Sequence, residues 1–373
     1  PGVALPNAPP PNTVLDRMTP VTEAMLANPG PGDWLTWRRS LDSQGYSPLK
    51  QIDRGNVKNL RVAWSWSLPP GPNTAPPRVH DGVMFVQGYT DQVEALDAAS
   101  GDLLWHWQRA LPQGARAGVK KGIAILGDTI FAATSDVHIV ALDARTGRLK
   151  WDHEIGPQNW QLTGGPLVAK GKVIIGTGGQ QPGGNFIVAL DANTGAEAWR
   201  FRTIPLPQDP GGNTWNGLPT EKRTGGSAWV PGSYDPALNL VYFGVAPTYD
   251  TGPLRLKSTQ PGMSNEALYS DSTIALNPDT GKPYGSSFPV VTMGDSVRVH
   301  KALVDSLGVK KLGAVAGAFA LEALFLLLTW VRWSFVRIRV DQILALSWKG
   351  LLPTSLVLLI TTAIVVVWRS AGV

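Results

Sequence analysis

The sequence predicts an all-β domain of four propeller blades, followed by a C-terminal transmembrane α-helical hairpin. Two observations carry this prediction. A short motif recurs four times within residues 95–285, and two long apolar runs lie close to the C-terminus. The motif is a strand–turn–strand signature, and the apolar runs are long enough to approach the thickness of a bilayer.

The repeated motif places an apolar strand before Asp or Asn, and Gly follows four residues later. An Asp or Asn side chain can accept hydrogen bonds from backbone amides of a turn, and Gly can adopt the positive φ of that turn. Each copy therefore predicts a hairpin. The copies lie at residues 95–105, 141–151, 189–199 and, in decayed form, 275–285.

In the first three copies a Trp lies eight residues after the Asp, where a large ring can pack between neighbouring sheets. The Asp residues of these copies are 46 and then 48 residues apart, close to the period of roughly 40–50 residues that is typical of propeller blades. A second apolar strand pair precedes each copy, so each unit predicts one four-stranded blade. A sandwich of unrelated hairpins is the alternative.

The two apolar runs predict a membrane hairpin. Residues 313–331 contain one charge, Glu322, and residues 351–367 contain none. Trp residues flank the runs, as in the aromatic belts of membrane proteins; they are Trp330, Trp333, Trp348 and Trp368. A buried helical hairpin of a soluble protein is the alternative. We expect domains at residues 1–32 (Pro-rich segment), 33–289 (propeller repeats), 290–312 (junction) and 313–373 (membrane segment).

The net charge of +5 comes entirely from residues 290–373, which hold nine basic and four acidic residues. The charge therefore flanks the apolar runs and gives no reason to expect nucleic-acid binding, whereas membrane lipid is an expected partner. Four basic residues between the runs favour a cytoplasmic loop; they are Arg332, Arg337, Arg339 and Lys349. We therefore expect a bacterial inner-membrane protein whose propeller faces the periplasm.

Residues 33–284 resemble the quinoprotein alcohol dehydrogenases, beginning with the segment DWLTWRRSLDSQGYSPLKQIDRGNVKNLRVAWSW at residues 33–66. Members of that family oxidise alcohols with pyrroloquinoline quinone (PQQ), held by Ca²⁺ or a similar ion on the axis of an eight-bladed propeller. The resemblance implies four of the eight blades. It also implies PQQ, and less firmly Ca²⁺, as cofactors.

The resemblance also implies individual site residues. Trp229, in GGSAW, matches the Trp beneath the quinone ring, and Thr163, in LTGGP, matches a Thr that hydrogen-bonds the cofactor. Lys121, in KKG, stands where the family has an Arg that binds a cofactor carboxylate. For each of them an ordinary structural role is the alternative.

Other positions depart from the family. Gln181, the fourth expected cofactor-binding residue, stands in place of a metal-binding Glu. Pro247 stands in place of an Asn ligand and Asn73 in place of another polar contact, which weakens the case for Ca²⁺. The family's catalytic Asp belongs to a blade beyond residue 285, so no catalytic residue is assigned. No metal site is predicted from the histidines, which lack ligand spacing; they are His80, His106, His138, His153 and His300.

Residues 323–367 resemble a second family, the membrane subunit of respiratory NADH:quinone oxidoreductase (complex I) that helps to form the quinone chamber. This resemblance makes quinone a further expected partner, although basic residues at a headgroup surface explain the same loop. Glu322, an acid inside an apolar run, is a functional candidate. Two partial families that meet near residue 285 fit a gene fusion, a fragment or a sequence-assembly error equally well.

The expected function is therefore a membrane-tethered, PQQ-dependent dehydrogenase-like propeller that passes electrons toward membrane quinone and is incomplete as a catalyst. The alternatives are a non-catalytic propeller scaffold and a chain that carries a complex I remnant. Four blades shaped for an eight-bladed ring leave open sheet edges. We therefore also expect that two copies can close one ring as a homodimer.

Overall fold

Four antiparallel sheets follow one another along the chain, in the order that the repeat predicts. The computed structural model describes residues 14–284, apart from residues 42, 114, 158, 250–253 and 255–257. In this part of the chain the first three sheets have four strands each and the fourth has three. Every sheet is a meander, because each strand pairs with its neighbour in sequence. The all-β, propeller-like prediction is confirmed.

The strands of sheet 1 are β1 (Arg78–His80), β2 (Val83–Gln87), β3 (Gln92–Asp97) and β4 (Leu103–Gln108). Those of sheet 2 are β5 (Ala124–Leu126), β6 (Thr129–Ala133), β7 (His138–Asp143) and β8 (Leu149–Glu154). Sheet 3 contains β9 (Leu167–Ala169), β10 (Lys172–Gly176), β11 (Phe186–Asp191) and β12 (Glu197–Arg202). Sheet 4 contains β13 (Ser233–Asp235), β14 (Leu240–Val245) and β15 (Ser272–Leu276). Two short helices, α1 (Val14–Arg17) and α2 (Glu23–Ala27), precede them.

The hairpin turns have the chemistry that the motif predicts. Asp143 Oδ1 accepts hydrogen bonds from the backbone amides of Arg145 and Thr146, at 3.1 and 2.9 Å. Gly147 closes the turn with a φ of +69°, which costs Gly little and other residues more. The same contacts recur at Asp97, Asp191 and Asn277.

The Trp of each motif joins one sheet to the next. Trp105 donates from Nε1 to the carbonyl oxygen of Ala144, the residue after the turn Asp of sheet 2, at 2.9 Å. Its ring covers Gly147, where an added Cβ would lie 2.6 Å from the indole. Equivalent Trp-to-carbonyl bonds run from Trp64 to Ala98, from Trp151 to Ala192 and from Trp199 to Pro278, at 3.2, 3.1 and 2.7 Å.

Residues 14–35 add to the core that lies between the first three sheets. Met18, Val21, Leu26 and Leu35 are all at least 96% buried there. Val21 exchanges backbone hydrogen bonds with Gly127, at 2.8 and 2.7 Å. This N-terminal segment therefore packs on the sheets, although its composition predicts only a Pro-rich leader to the propeller.

Residues 60–69 lie against sheet 1 without strand pairing. Trp64 provides the interlock described above, while Leu60 and Val62 are 54% and 85% exposed. The predicted membrane hairpin, Glu322 and the junction after residue 284 lie outside the described residues. Within the described part of the chain, no helix has the length and apolar character needed to cross a membrane.

Candidate functional site

Three chain segments meet where the innermost strands of sheets 2, 3 and 4 begin. The amide of Lys121 donates to the carbonyl oxygen of Thr163 at 2.9 Å, which ties the segment before β5 to the segment before β9. Gly165 approaches Gly122 so closely that a Cβ would lie 3.0 Å from its carbonyl oxygen. Gly164 would similarly place a Cβ 3.3 Å from the carbonyl oxygen of Val230. Glycine is therefore required where the sheets converge.

The convergence forms an open cleft of about 800 Å³, a size that suits a small-molecule ligand. Trp229 and Thr163, two of the four predicted site residues, line it. Lys120, Thr163 and Trp229 each lie four residues before the first residue of an inner strand. The repeat thus brings three chemically different side chains to equivalent places. The other polar and aromatic residues of the wall are Tyr89, Arg116, Ser135, Trp160, Gln161, Ser227 and Tyr249.

Trp229 presents part of its aromatic surface to the cleft, since 46% of the residue is exposed. The Lys121 ammonium lies 5.0 Å from the centroid of that indole, within the range of a cation–π contact. Thr163 is half-buried. The structure therefore brings Trp229, Thr163 and Lys121 together, as the resemblance implies.

Lys120 is a buried member of the site that the sequence analysis did not select. Its ammonium lies 3.1 Å from Asp91 Oδ1, with 4% and 0% of the two side chains exposed. It also donates to the carbonyl oxygen of Gly118 and to Ser135 Oγ, at 3.0 and 2.8 Å. Burial lowers the pKa of Lys120, and Asp91 opposes that shift. The two adjacent lysines of KKG indicated a basic site in the sequence. Which lysine is buried against Asp91 and which contacts Trp229 depends on the strand register.

Around Ser227 and Tyr249, which also line the cleft, the structure has a neutral hydrogen-bonded network. Tyr249 donates its hydroxyl proton to Ser227 Oγ at 2.6 Å. The side-chain amide of Asn185, 1% exposed, donates to the carbonyl oxygens of Gly179 and Gly225 at 3.0 and 2.8 Å. These contacts fix the backbone on which Trp229 is mounted.

Gln181, the fourth predicted site residue, contacts Asn159 instead of lining the cleft. Asn159 Nδ2 donates to Gln181 Oε1 at 2.7 Å, and Gln181 Nε2 donates to the Asn159 carbonyl oxygen. Pro247 offers only its carbonyl oxygen, which accepts from the amide of Gly226 at 3.2 Å. Asn73 shapes a turn by accepting from the amide of Tyr89 at 2.7 Å, and it is not part of the cleft wall.

The described wall of the cleft has groups that suit a planar anion and lacks those that Ca²⁺ needs. A planar anionic quinone such as PQQ would meet the partly exposed indole of Trp229 and the cation Arg116 in the wall, and Lys121 over that indole. Ca²⁺ requires several oxygen ligands with carboxylates among them. None of the described residues that line the cleft is Asp or Glu. No step is therefore assigned to a metal ion.

His80 forms a separate polar cluster with Asp33 and Asp81. Its Nδ1 lies 3.2 Å from Asp33 Oδ1, and its Nε2 lies 3.3 Å from Asp81 Oδ2. Nε2 also lies 3.0 Å from the carbonyl oxygen of Thr19. Because the ring is fully buried and both nitrogens face oxygens, His80 connects the N-terminal segment to sheet 1.

Comparison with known proteins places both parts of the chain. Residues 34–284 match the PQQ family described as the β-propeller domain of glucose, ethanol and alcohol dehydrogenases. Residues 289–363 match the NADH dehydrogenase family. Quinohemoprotein alcohol dehydrogenase ADH IIB of Pseudomonas putida is 38% identical over 276 residues, which cover 67% of this chain and 39% of that protein.

Other relatives give the same result. The dehydrogenase subunit of a quinone-linked alcohol dehydrogenase from Gluconobacter oxydans is 36% identical, over 68% of this chain and 37% of the relative. The solved structure of ADHIIG from Pseudomonas putida HK5 superposes with a TM-score of 0.63 at 34% identity, over 72% of this chain and 42% of that one.

The quinohemoprotein alcohol dehydrogenase of Comamonas testosteroni superposes with a TM-score of 0.62 at 31% identity, over 73% of this chain and 43% of that one. The chain spans about two fifths of the length of the curated relatives, 39% and 37% for the two named above. It belongs to the PQQ family of dehydrogenase β-propeller domains, and its C-terminal part resembles NADH dehydrogenase.

Proposed function

We propose that the cleft binds PQQ and that the chain is a membrane-tethered, alcohol dehydrogenase-like oxidoreductase. The observation that carries this proposal is that Trp229 and Thr163 line one cleft and Lys121 contacts both of them, each residue coming from a different sheet-to-sheet segment. Relatives that are named alcohol dehydrogenases support the reaction class.

Each residue has a distinct part in binding. The partly exposed indole of Trp229 provides a flat surface for a planar ligand, and stacking of aromatic rings contributes roughly 0.5–1.5 kcal/mol beyond burial. Lys121 pairs with a carboxylate as a point charge, and the hydroxyl of Thr163 can donate a hydrogen bond. Lys120, neutralised by Asp91, holds the loop that carries Arg116 and Gly118.

PQQ, when bound, would supply a quinone that takes two electrons and two protons from an alcohol, yielding quinol and an aldehyde. A carboxylate that accepts the alcohol proton is absent from the described wall of the cleft. We therefore propose that the propeller residues bind and orient the quinone, and that proton acceptance requires a residue outside the described wall of the cleft.

A fluorescence titration of the full chain in detergent with PQQ tests the proposal. Saturable quenching of Trp emission is expected, and Trp229→Phe should remove most of the quenching. Trp66→Phe is the matched control, because Trp66 lies on the outer segment and donates to Glu94 Oε2 at 2.7 Å. Equal quenching in both variants, or none in the parent protein, would contradict PQQ binding in this cleft.

A non-catalytic propeller scaffold is the second candidate function. The observation in its favour is the engagement of Gln181 with Asn159 and the presence of Pro247 at a ligand position of the family. PQQ binding without dye reduction in the presence of alcohol would favour the scaffold. Alcohol-dependent reduction of a dye would favour the enzyme.

The membrane part of the proposal rests on residues 313–373. We propose that these residues anchor the chain in a bacterial inner membrane with the propeller in the periplasm, and that quinone and lipid are its partners there. Protease added to intact spheroplasts should then cleave the propeller.

We also propose a homodimer as the closed form of the ring, supported by the exposed Leu60 and Val62. A monomeric mass by light scattering would contradict the dimer.

A further inference from the structure

We propose that the cleft binds its planar anionic ligand without a divalent metal ion, and that Arg116 and Lys121 supply the positive charge. This inference rests on the proposed function, because it concerns how the same cleft takes PQQ. It departs from the family, in which a metal ion accompanies the quinone.

Gln181, at the family's metal-ligand position, already hydrogen-bonds another residue. Both polar ends of the Gln181 amide bond Asn159, one to its side chain and one to its backbone. A cation would have to break this reciprocal pair and would gain only a neutral amide oxygen. Ca²⁺ affinity depends on the number of carboxylate ligands, and Gln181 contributes none.

The polar groups near Gln181 are also hydrogen-bonded within the protein. The Pro247 carbonyl oxygen accepts a hydrogen bond from Gly226, and Ser227 Oγ accepts one from Tyr249 at 2.6 Å. The side-chain amide of Asn185 donates to the carbonyl oxygens of Gly179 and Gly225. The polar groups beside Gln181 thus satisfy one another, which removes the reason to recruit an ion.

Positive charge at the cleft can take the place of an ion. Lys120 is neutralised by Asp91 at 3.1 Å, so it adds little net charge. Arg116 lines the cleft, and Lys121 lies over the Trp229 ring that lines it. Neither forms an ion pair with a described residue, and together they carry the formal charge of one divalent cation. Charge-assisted hydrogen bonds to carboxylates are stronger than neutral ones, so two such cations can hold a ligand with several carboxylates.

Lys121 is also positioned for this purpose by its backbone. Its amide is fixed to Thr163 at 2.9 Å, and its ammonium lies 5.0 Å from the Trp229 ring centroid. The charge therefore lies over the indole on which the planar ligand would stack, and the ligand would have to displace it from that face. A ligand carboxylate can exchange the cation–π contact for an ion pair without moving the backbone.

The test measures PQQ affinity of the full chain by Trp fluorescence, once with excess EDTA and once with millimolar Ca²⁺. We expect the two affinities to agree within about threefold, because the described wall of the cleft has no carboxylate to bind Ca²⁺. Lys121→Ala should weaken binding roughly 10- to 100-fold, as expected for loss of one charge-assisted contact, and Lys121→Arg should restore it. The control is Lys282→Ala, at an exposed position in the outer turn of sheet 4.

The Gln181→Glu variant provides an independent check. A carboxylate placed beside the cleft should repel the anionic ligand in EDTA, and added Ca²⁺ should recover part of the lost affinity. Binding of PQQ by the parent chain only in the presence of Ca²⁺ would overturn the metal-free inference while leaving the proposed function intact. Absence of binding under both conditions would overturn the proposed function and this inference with it.

Discussion

The Trp contacts that join neighbouring sheets, called the outer joints below, repeat one pattern, whereas the cleft at the inner ends of the sheets is lined by residues that differ from sheet to sheet. At the outer joints one contact is repeated four times, a Trp Nε1 donating to the carbonyl oxygen after a turn. At the inner ends the equivalent positions carry three different residues, Lys120, Thr163 and Trp229. The repeat thus supplies the scaffold, and departure from the repeat supplies the binding chemistry.

The largest effect is expected when an outer joint is broken. Trp105 is 8% exposed, contacts Phe85 at 6.0 Å between ring centroids and bonds Ala144. Trp105→Ala should lower the free energy of unfolding by about 3–5 kcal/mol, as for other buried Trp truncations. Urea denaturation of the full chain in detergent measures the change.

Two matched variants sharpen this prediction. Leu149→Ala, at a residue that is 49% exposed, should change stability by less than about 0.5 kcal/mol. Trp64→Ala should cost less than Trp105→Ala, because Trp64 lies on a segment without strand pairing. If Trp64→Ala lowered the free energy of unfolding as much as Trp105→Ala, the segment without strand pairing would be held as firmly as a blade.

Two turn glycines, Gly147 beneath the Trp105 ring and Gly171 in the turn between β9 and β10, separate packing from backbone strain. Gly147 has a φ of +69°, and an added Cβ would lie 2.6 Å from the Trp105 ring. Gly171 has a φ of +66°, with nothing within 4 Å of the added Cβ. Gly171→Ala should therefore cost about 1 kcal/mol through φ alone, and Gly147→Ala should cost more, about 2–3 kcal/mol. Equal costs by denaturation would show that the Trp ring moves aside freely.

A charged joint between sheets 1 and 2 predicts a pH dependence. Asp136 accepts hydrogen bonds from Arg109 Nε and Nη2, at 2.9 and 2.7 Å, and from Thr134 at 2.6 Å. Burial alone would raise the pKa of Asp136, but these donors outweigh burial and hold the pKa below its ordinary value of 3.8. The stabilisation is present above that ordinary value and is lost as the pH falls through the lower folded-state pKa.

The melting temperature measured against pH tests this joint. The parent protein should lose stability below about pH 4, and Asp136→Asn should show a lower melting temperature at neutral pH with a flatter acid limb. Glu154→Gln, at an exposed residue of β8, is the control and should leave the acid limb unchanged. A parent-like acid limb in Asp136→Asn would assign the acid sensitivity to other carboxyl groups.

The smallest effect on stability is expected in the cleft. Trp229 is 46% exposed, so Trp229→Ala should change the free energy of unfolding by less than about 1 kcal/mol. Its effect on ligand binding should be large, in contrast to Trp105→Ala. A loss of stability as large as that of Trp105→Ala would mean that Trp229 is a scaffold residue after all.

The sequence predicted what depends on short-range chemistry. The Asp97, Asp143 and Asp191 turns and the Trp positions follow from offsets of four and eight residues, and the structure has both. Contacts between segments that are far apart in the chain could not be predicted from such offsets. Lys120 and Lys121 are adjacent in sequence, yet one is buried against Asp91 and the other faces Trp229. The pairing of Gln181 with Asn159 likewise depends on a loop geometry that composition does not encode.

The acceptor in every outer joint is a backbone carbonyl, and this has an evolutionary consequence. Ala98, Ala144 and Ala192 accept the Trp hydrogen bond in three joints and Pro278 accepts it in the fourth. Because the Trp donates only to the main chain, this hydrogen bond does not depend on which side chain the next blade carries at that position. Any unit that keeps the turn can therefore follow any unit that keeps the Trp. Duplication or truncation of whole blades then creates joints that already fit, so a gene of this kind can change length without first acquiring new complementary side chains.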